Sequence, residues 1–194
     1  MEIGATKAVQ DRLKTTKIEE SKGASLVFCW DTHLTKIKGR NVLFIVNASN
    51  RYTIAMTDIE PRNWNYYTMY IRSVIHGVMQ EMGYSEDQIG QYFKMSGDTT
   101  VTKTHGRKSV GGINRMVMDA QYFGKKLEKE AKYQWELSEY LNRDICQPEG
   151  FDAYGYPNEL FKLDMERLGI ATKRKPAKVI DFTRYIDTNR SSNH

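Results

Sequence analysis

Eleven residues of this 194-residue chain gather most of its chemistry: Thr102-Lys103-Thr104-His105-Gly106-Arg107-Lys108-Ser109-Val110-Gly111-Gly112. An imidazole, a guanidinium, two ammonium groups and several hydroxyls sit there on a glycine-permissive backbone. That combination, placed just before a helical pattern, suits an anion and phosphate above all. His105 is the expected proton-transfer group, Arg107 a bidentate phosphate clamp, and Lys103, Lys108 and Ser109 supply potential and hydroxyl contacts. The main-chain N–H groups of Gly111 and Gly112 are expected to complete the cradle ahead of a helix starting at Ile113. The segment has no GxxxxGK[ST] loop, so nucleotide hydrolysis is not expected.

Two further groups join this list. Asp31 and His33 have strand parity and share a face, so a carboxylate can set the tautomer of a neighbouring imidazole. The Asn47-Ala48-Ser49-Asn50-Arg51-Tyr52 turn offers Arg51 and Asn47 as phosphate contacts and Tyr52 as a base-stacking surface. Two histidines and a cation are the minimum for metal-free RNA cleavage: one base for the 2′-hydroxyl, one acid for the leaving oxygen, and positive charge on the phosphorane. His33, Asp31 and His105 are the catalytic candidates if the fold brings them together. His76 reads as packed in a helix. No HxxxH, HxH or CxxC spacing exists, so no metal and no cofactor is expected.

These groups need elements to hold them. Strands are expected at Met1–Thr6, Ser25–Trp30, Asn41–Val46, Tyr52–Met56 and Asp98–Thr102. Helices are expected at Lys7–Lys14, at Tyr66–Met82 with Gly83 as its cap, from the Ser85-Glu86-Asp87-Gln88 capping box to Lys94, at Ile113–Asn142, and at Pro157–Leu168. Trp64, Tyr66, Tyr67 and Tyr70 could stack on bases but read as core at helical spacing. The fold class that follows is α+β: an antiparallel or mixed sheet of four to five strands packed by helices, with one long helix and a basic C-terminal extension. Residues 1–145 form the core domain in this reading. Residues 146–194 supply a Gly/Tyr/Pro loop, a short helix and the basic tail containing Lys173-Arg174-Lys175.

Composition narrows the setting. Net charge is +5 and 40% of residues are hydrophobic, enough for a core with a mild preference for acidic partners. Cys29 and Cys146 lie far apart and read as free thiols of a reducing compartment. No signal-peptide core and no run of 18 apolar residues is present, so a cytoplasmic protein with no membrane partner is expected.

Ile3-Gly4-Ala5-Thr6-Lys7, Trp30, Asn47 with Arg51-Tyr52, and Lys103-Thr104-His105-Gly106-Arg107 with Ser109, Gly112 and Asn114 together resemble an uncharacterised family of small domains. Its members occur in bacterial, plasmid and phage genomes. The resemblance spans residues 1–125. Members tend to carry a histidine directly after the strand-end tryptophan, where this chain has Asp31 and places His33 two positions on. By analogy with other small basic proteins of mobile elements, the resemblance implies an anti-defence setting, including inhibition of guide-RNA effectors.

Three functions are compatible with these residues. The first is a protein acting on RNA or a ribonucleoprotein, binding structured RNA and extending to metal-free cleavage if His33 and His105 meet. The second is a non-catalytic module that docks on a protein through the Tyr154/Tyr156 loop and the basic tail. The third is a small-molecule phosphate-ester enzyme using the same anion site.

Overall fold

A computed structural model describes residues 1–13 and 18–172. Five strands form one open mixed sheet: β1 (Glu2–Ala5), β2 (Cys29–Ile37), β3 (Arg40–Asn47), β4 (Thr53–Thr57) and β5 (Thr100–Thr102). Their order across the sheet is β4-β3-β2-β1-β5. β2, β3 and β4 form an antiparallel meander, whereas β1 runs parallel to both β2 and β5. Among the described residues there are seven α-helices: α1 (Lys7–Leu13), α2 (Pro61–Asn65), α3 (Tyr67–Glu81), α4 (Glu86–Ser96), α5 (Gly106–Gln121), α6 (Trp135–Asn142) and α7 (Pro157–Arg167). The fold is α+β, as the pattern of elements implies.

Alternation along the strands divides the core. Leu43 and Ile45 of β3 join Ile3, Trp30 and Ile54 on one face, under Ile71, Ile75, Ile89, Tyr92 and Phe161 of the helices. Val42, Phe44 and Val46 face the other way, against Ile113, Met116 and Ala120 of α5 and Leu137 and Leu141 of α6. Successive strand side chains alternate in direction, so one strand serves two helical layers. Helix α7 belongs to the first layer: Phe161 packs on Trp30 and Tyr52. Residues 173–194, with the Lys173-Arg174-Lys175 run, lie outside the described residues.

Several expectations need correcting. β2 starts at Cys29 after a short 3₁₀ turn and runs to Ile37, so Asp31 and His33 lie inside a strand rather than at its end. The connection before α3 contains the short helix α2, with Pro61 in its first turn. The long helix expected over Ile113–Asn142 is two helices, α5 and α6. Between them Phe123 and Leu127 turn into the core. The chain then runs beside the open edge of β4, where Thr57 N–H bonds the Lys132 carbonyl and Gln134 N–H bonds that of Ala55. Ser138 Oγ and Asn142 Oδ1 accept from Ala55 and Thr53 N–H, at 3.0 and 2.7 Å. A continuous helix would leave that edge unpaired.

Candidate functional site

Parallel pairing of β1 with β2 sets Glu2 beside Cys29 and Gly4 beside Asp31. Glu2 and Asp31 therefore point to the α5 side of the sheet. There His105, the residue that caps α5, lies between them. Its Nδ1 is 2.7 Å from Asp31 Oδ1 and its Nε2 is 3.0 Å from Glu2 Oε2. Both carboxylates gather further donors. Asp31 accepts from the His105 backbone N–H at 3.2 Å and from Ser109 Oγ. Glu2 accepts from Ser21 Oγ at 2.6 Å and from Lys22 N–H at 2.8 Å. Gly4 makes room for this assembly, since a Cβ there would fall 1.8 Å from Asp31 Oδ1 and 3.0 Å from Thr104 Cα.

The electrostatics follow from the partners. Burial pushes the His105 imidazolium toward neutrality, but the hydrogen bonds to Asp31 and Cys29 more than offset it and raise its pKa to about 10. Burial likewise favours protonated Glu2, yet Ser21, Lys22 N–H and His105 hold its carboxyl below the usual range. At neutral pH the cluster is a buried imidazolium bridging two carboxylates. The His105 side chain is 3% exposed, and both ring nitrogens are committed. In this state it has no free lone pair to accept a 2′-hydroxyl proton, and its acidic protons face carboxylates.

His33 does not join the cluster. It lies one pleat beyond Asp31 on the same face of β2, half-buried, with Nδ1 3.2 Å from Thr6 Oγ1, and burial lowers its pKa. The Asp31 carboxylate orients His105, not His33. Asn47 is fully buried and works as a turn residue: Oδ1 accepts from Ser49 and Asn50 N–H, and Nδ2 donates to the Val27 carbonyl. Tyr52 is buried too. Arg51, at φ 63°, donates to the Gly112 carbonyl at 3.0 Å.

The phosphate-cradle residues are redistributed. α5 starts at Gly106, so Gly111 and Gly112 lie inside it, and their N–H groups are not at the helix start. The helix start is at Gly106–Lys108 instead, with the Gly106 N–H given to the Thr104 carbonyl at 3.0 Å and the His105 N–H to Asp31 at 3.2 Å. Gly112 has a packing reason: a Cβ would lie 3.2 Å from Arg51 Nε. Ser109 is buried on Asp31. Lys103 is exposed and paired with Glu20, and Lys108 is exposed with Nζ 3.2 Å from the Pro148 carbonyl. Arg107 is exposed. Farther along the same helix Asn114, Arg115 and Met118 are exposed, and Tyr122 at its end is 79% exposed.

Glu2 and Cys29 are the residues that sequence reasoning missed. The signal for Glu2 was polarity in the wrong place, a carboxylate inside the short first strand, MEIGA, that demands a buried partner. Cys29, in the apolar run VFCW, reads as a small hydrophobe and gave none. Both cysteines are free and buried. Among the described residues no helix is long and apolar enough to cross a membrane.

A family model described as a domain of unknown function (DUF6933) matches residues 2–160. No curated protein and no solved structure matches the chain.

Proposed function

The chain belongs to the DUF6933 family of domains of unknown function, and on the geometry of its most distinctive segment we propose that it is a module that binds structured RNA through the exposed face of α5. One observation carries this reading. From Thr99 to Met118 the chain holds Lys103, Arg107, Lys108 and Arg115 and no acidic residue. Lys103, paired with Glu20, precedes the helix; Arg107 and Lys108 lie in its first turn and Arg115 along its outer face, with Nε 3.3 Å from Asp119, and Asn114 and Tyr122 are interleaved. Cations and helix N–H groups take phosphate, and an exposed tyrosine at the far end stacks on a base. The Glu2–His105–Asp31 cluster fixes the angle of the helix and stays out of contact with the ligand. Cleavage is not part of the proposal, because His105 is buried between carboxylates. The guide RNA of a defence effector is one structured RNA within its scope.

The test is fluorescence anisotropy of a labelled RNA hairpin against salt. Binding is expected to weaken linearly in log–log form. Arg107→Ala and Arg115→Ala together are expected to lower the slope by about 2, roughly one per lost phosphate contact. Binding that is unchanged in the double variant, or absent at low salt, overturns the reading. In that case docking on a protein through Tyr154, 70% exposed, and Tyr156 becomes the better one. Intact RNA on a denaturing gel is expected throughout.

A further inference from the structure

We propose that Glu2, Cys29 and His105 are the protein ligands of a divalent metal site, with Zn²⁺ the best-matched ion. One oxygen, one sulfur and one nitrogen of these three side chains all lie within 4.8 Å of one another, and all three residues are buried. Tetrahedral zinc with bonds of 2.0–2.3 Å separates its ligand atoms by roughly 3.3–3.8 Å. The contraction or opening required is therefore a side-chain adjustment. Thiolate, imidazole and carboxylate together are a zinc-type donor set rather than one for magnesium or calcium.

The arrangement around the three ligands is an independent observation. Asp31 holds His105 Nδ1 at 2.7 Å, which leaves Nε2 as the nitrogen turned toward Glu2 and Cys29. A carboxylate behind a histidine is how metal-bound imidazoles are oriented and made more basic. Glu2 is itself oriented by Ser21 Oγ and Lys22 N–H. Cys29 Sγ meets the Ala24 and Ser25 carbonyls at 3.6 and 3.5 Å as weak acceptors, besides its contact with the His105 imidazole.

Metal binding needs the sulfur as thiolate and a ring nitrogen with a free lone pair, so loading releases to solvent the protons those two atoms carry. The metal form would tie β1, β2 and the start of α5 together at one atom. This inference is independent of RNA binding, since none of the three ligands lies on the outer face of α5.

The full chain, desalted after equilibration with equimolar Zn²⁺, is expected to retain about one metal per chain by elemental analysis. Co²⁺ in its place is expected to give a near-ultraviolet thiolate charge-transfer band. The Cys146→Ser variant keeps that band and thereby assigns it to Cys29. Cys29→Ser loses it, and Zn²⁺ affinity falls by about tenfold or more. No retained metal in the unsubstituted protein, or no thiolate band in Cys146→Ser, overturns the proposal. A Cys29→Ser variant that folds and still binds Zn²⁺ with unchanged affinity overturns it as well.

Discussion

Glu2 and Asp164 are equally hidden, each 4% exposed, yet their acidities move in opposite directions. Glu2 is held below the normal carboxyl range and Asp164 is pushed above it. Burial acts the same way on both, disfavouring the charge. The difference lies in what meets the carboxylate. Glu2 has a serine hydroxyl, a backbone N–H and the His105 imidazolium. Asp164 has the neutral amide of Asn50 at 2.9 Å, the Ser49 hydroxyl and Arg167 Nη1 at 3.3 Å, and the arginine side chain is 55% exposed. Neutral donors and a hydrated cation do not replace the water that burial removes, whereas Glu2 also meets a buried imidazolium. Burial sets the cost of a hidden carboxylate, and its donors decide the sign.

The largest break in this comparison is the isosteric change Asp31→Asn set beside Asp164→Asn. The first leaves the His105 imidazolium with one anionic partner and puts an amide N–H or a neutral oxygen opposite Ser109 Oγ and the His105 N–H. Breaking a buried ion pair from one side costs about 3–5 kcal/mol. The second removes a charge that its surroundings barely tolerate and keeps an acceptor for Asn50, so its cost is expected to be below about 1 kcal/mol. Urea unfolding followed by circular dichroism measures both. Equal losses at the two positions would mean that the imidazolium bridge contributes nothing beyond its hydrogen bonds.

The two regions also differ in how far the sequence exposed them. Asp31 and His105 stood out as candidates because a polar group in an apolar strand and a histidine in a basic loop are local signals. Their pairing did not, because it depends on β1 lying between β2 and β5, a crossover that no local pattern encodes. Asp31 was therefore matched to His33, its neighbour in strand parity. Strands β1, β3, β4 and β5, the capping box at Ser85 and Gln88, and the hairpin at Asn47 were legible because period and turn chemistry are short-range, whereas most of β2 lay beyond the apolar run that pointed to it. The start of α5 was misplaced because Gly111 and Gly112 read as loop. In the fold Gly112 is a helical glycine that lets Arg51 approach, a tertiary reason invisible along the chain. The break after α5 was hidden in the same way, since the demand came from the unpaired edge of β4.

A second break acts through space rather than charge. In Gly4→Ala the new Cβ meets Asp31 Oδ1 at 1.8 Å, so the carboxylate must leave its position between His105 and Ser109. Overpacking of this kind costs about 1–3 kcal/mol. The cost is expected to be strongly non-additive with Asp31→Ala, since removing the carboxylate removes most of the clash. Gly150→Ala is the counterpart near Asp164. Its Cβ meets Ser49 Oγ at 2.1 Å and the Ser49 carbonyl oxygen at 2.7 Å. Backbone cannot retract as a side chain can, so that penalty is expected to persist when Asp164 is also changed to Ala. Double-mutant cycles by urea unfolding separate the two cases. Additivity at Gly4 and Asp31 would mean that the strand, and not the carboxylate, absorbs the strain.

The smallest effect is read by its sign alone, with chelator present so that only protons are exchanged. The Glu2 carboxyl has a folded pKa below its ordinary 4.5. Its stabilisation is therefore present above about that pH and lost as the pH falls through the folded value. Asp164 has a folded pKa above its ordinary 3.8, so its charged form weakens the folded state at neutral pH and the penalty disappears on acidification. His105, with its folded pKa near 10 against an ordinary 6.5, adds a slope of its own above about pH 5.5, where the unfolded imidazole loses its proton, so the two substitutions are compared below that pH. The stability difference between wild type and Glu2→Gln is expected to shrink as the pH is lowered from about 5.5 to about 3, with wild type losing its advantage. Between wild type and Asp164→Asn the change runs the other way, with wild type gaining on the variant as the pH falls. Parallel slopes for the two substitutions would show that burial alone governs both carboxyls and that the imidazolium bridge gives Glu2 no protection.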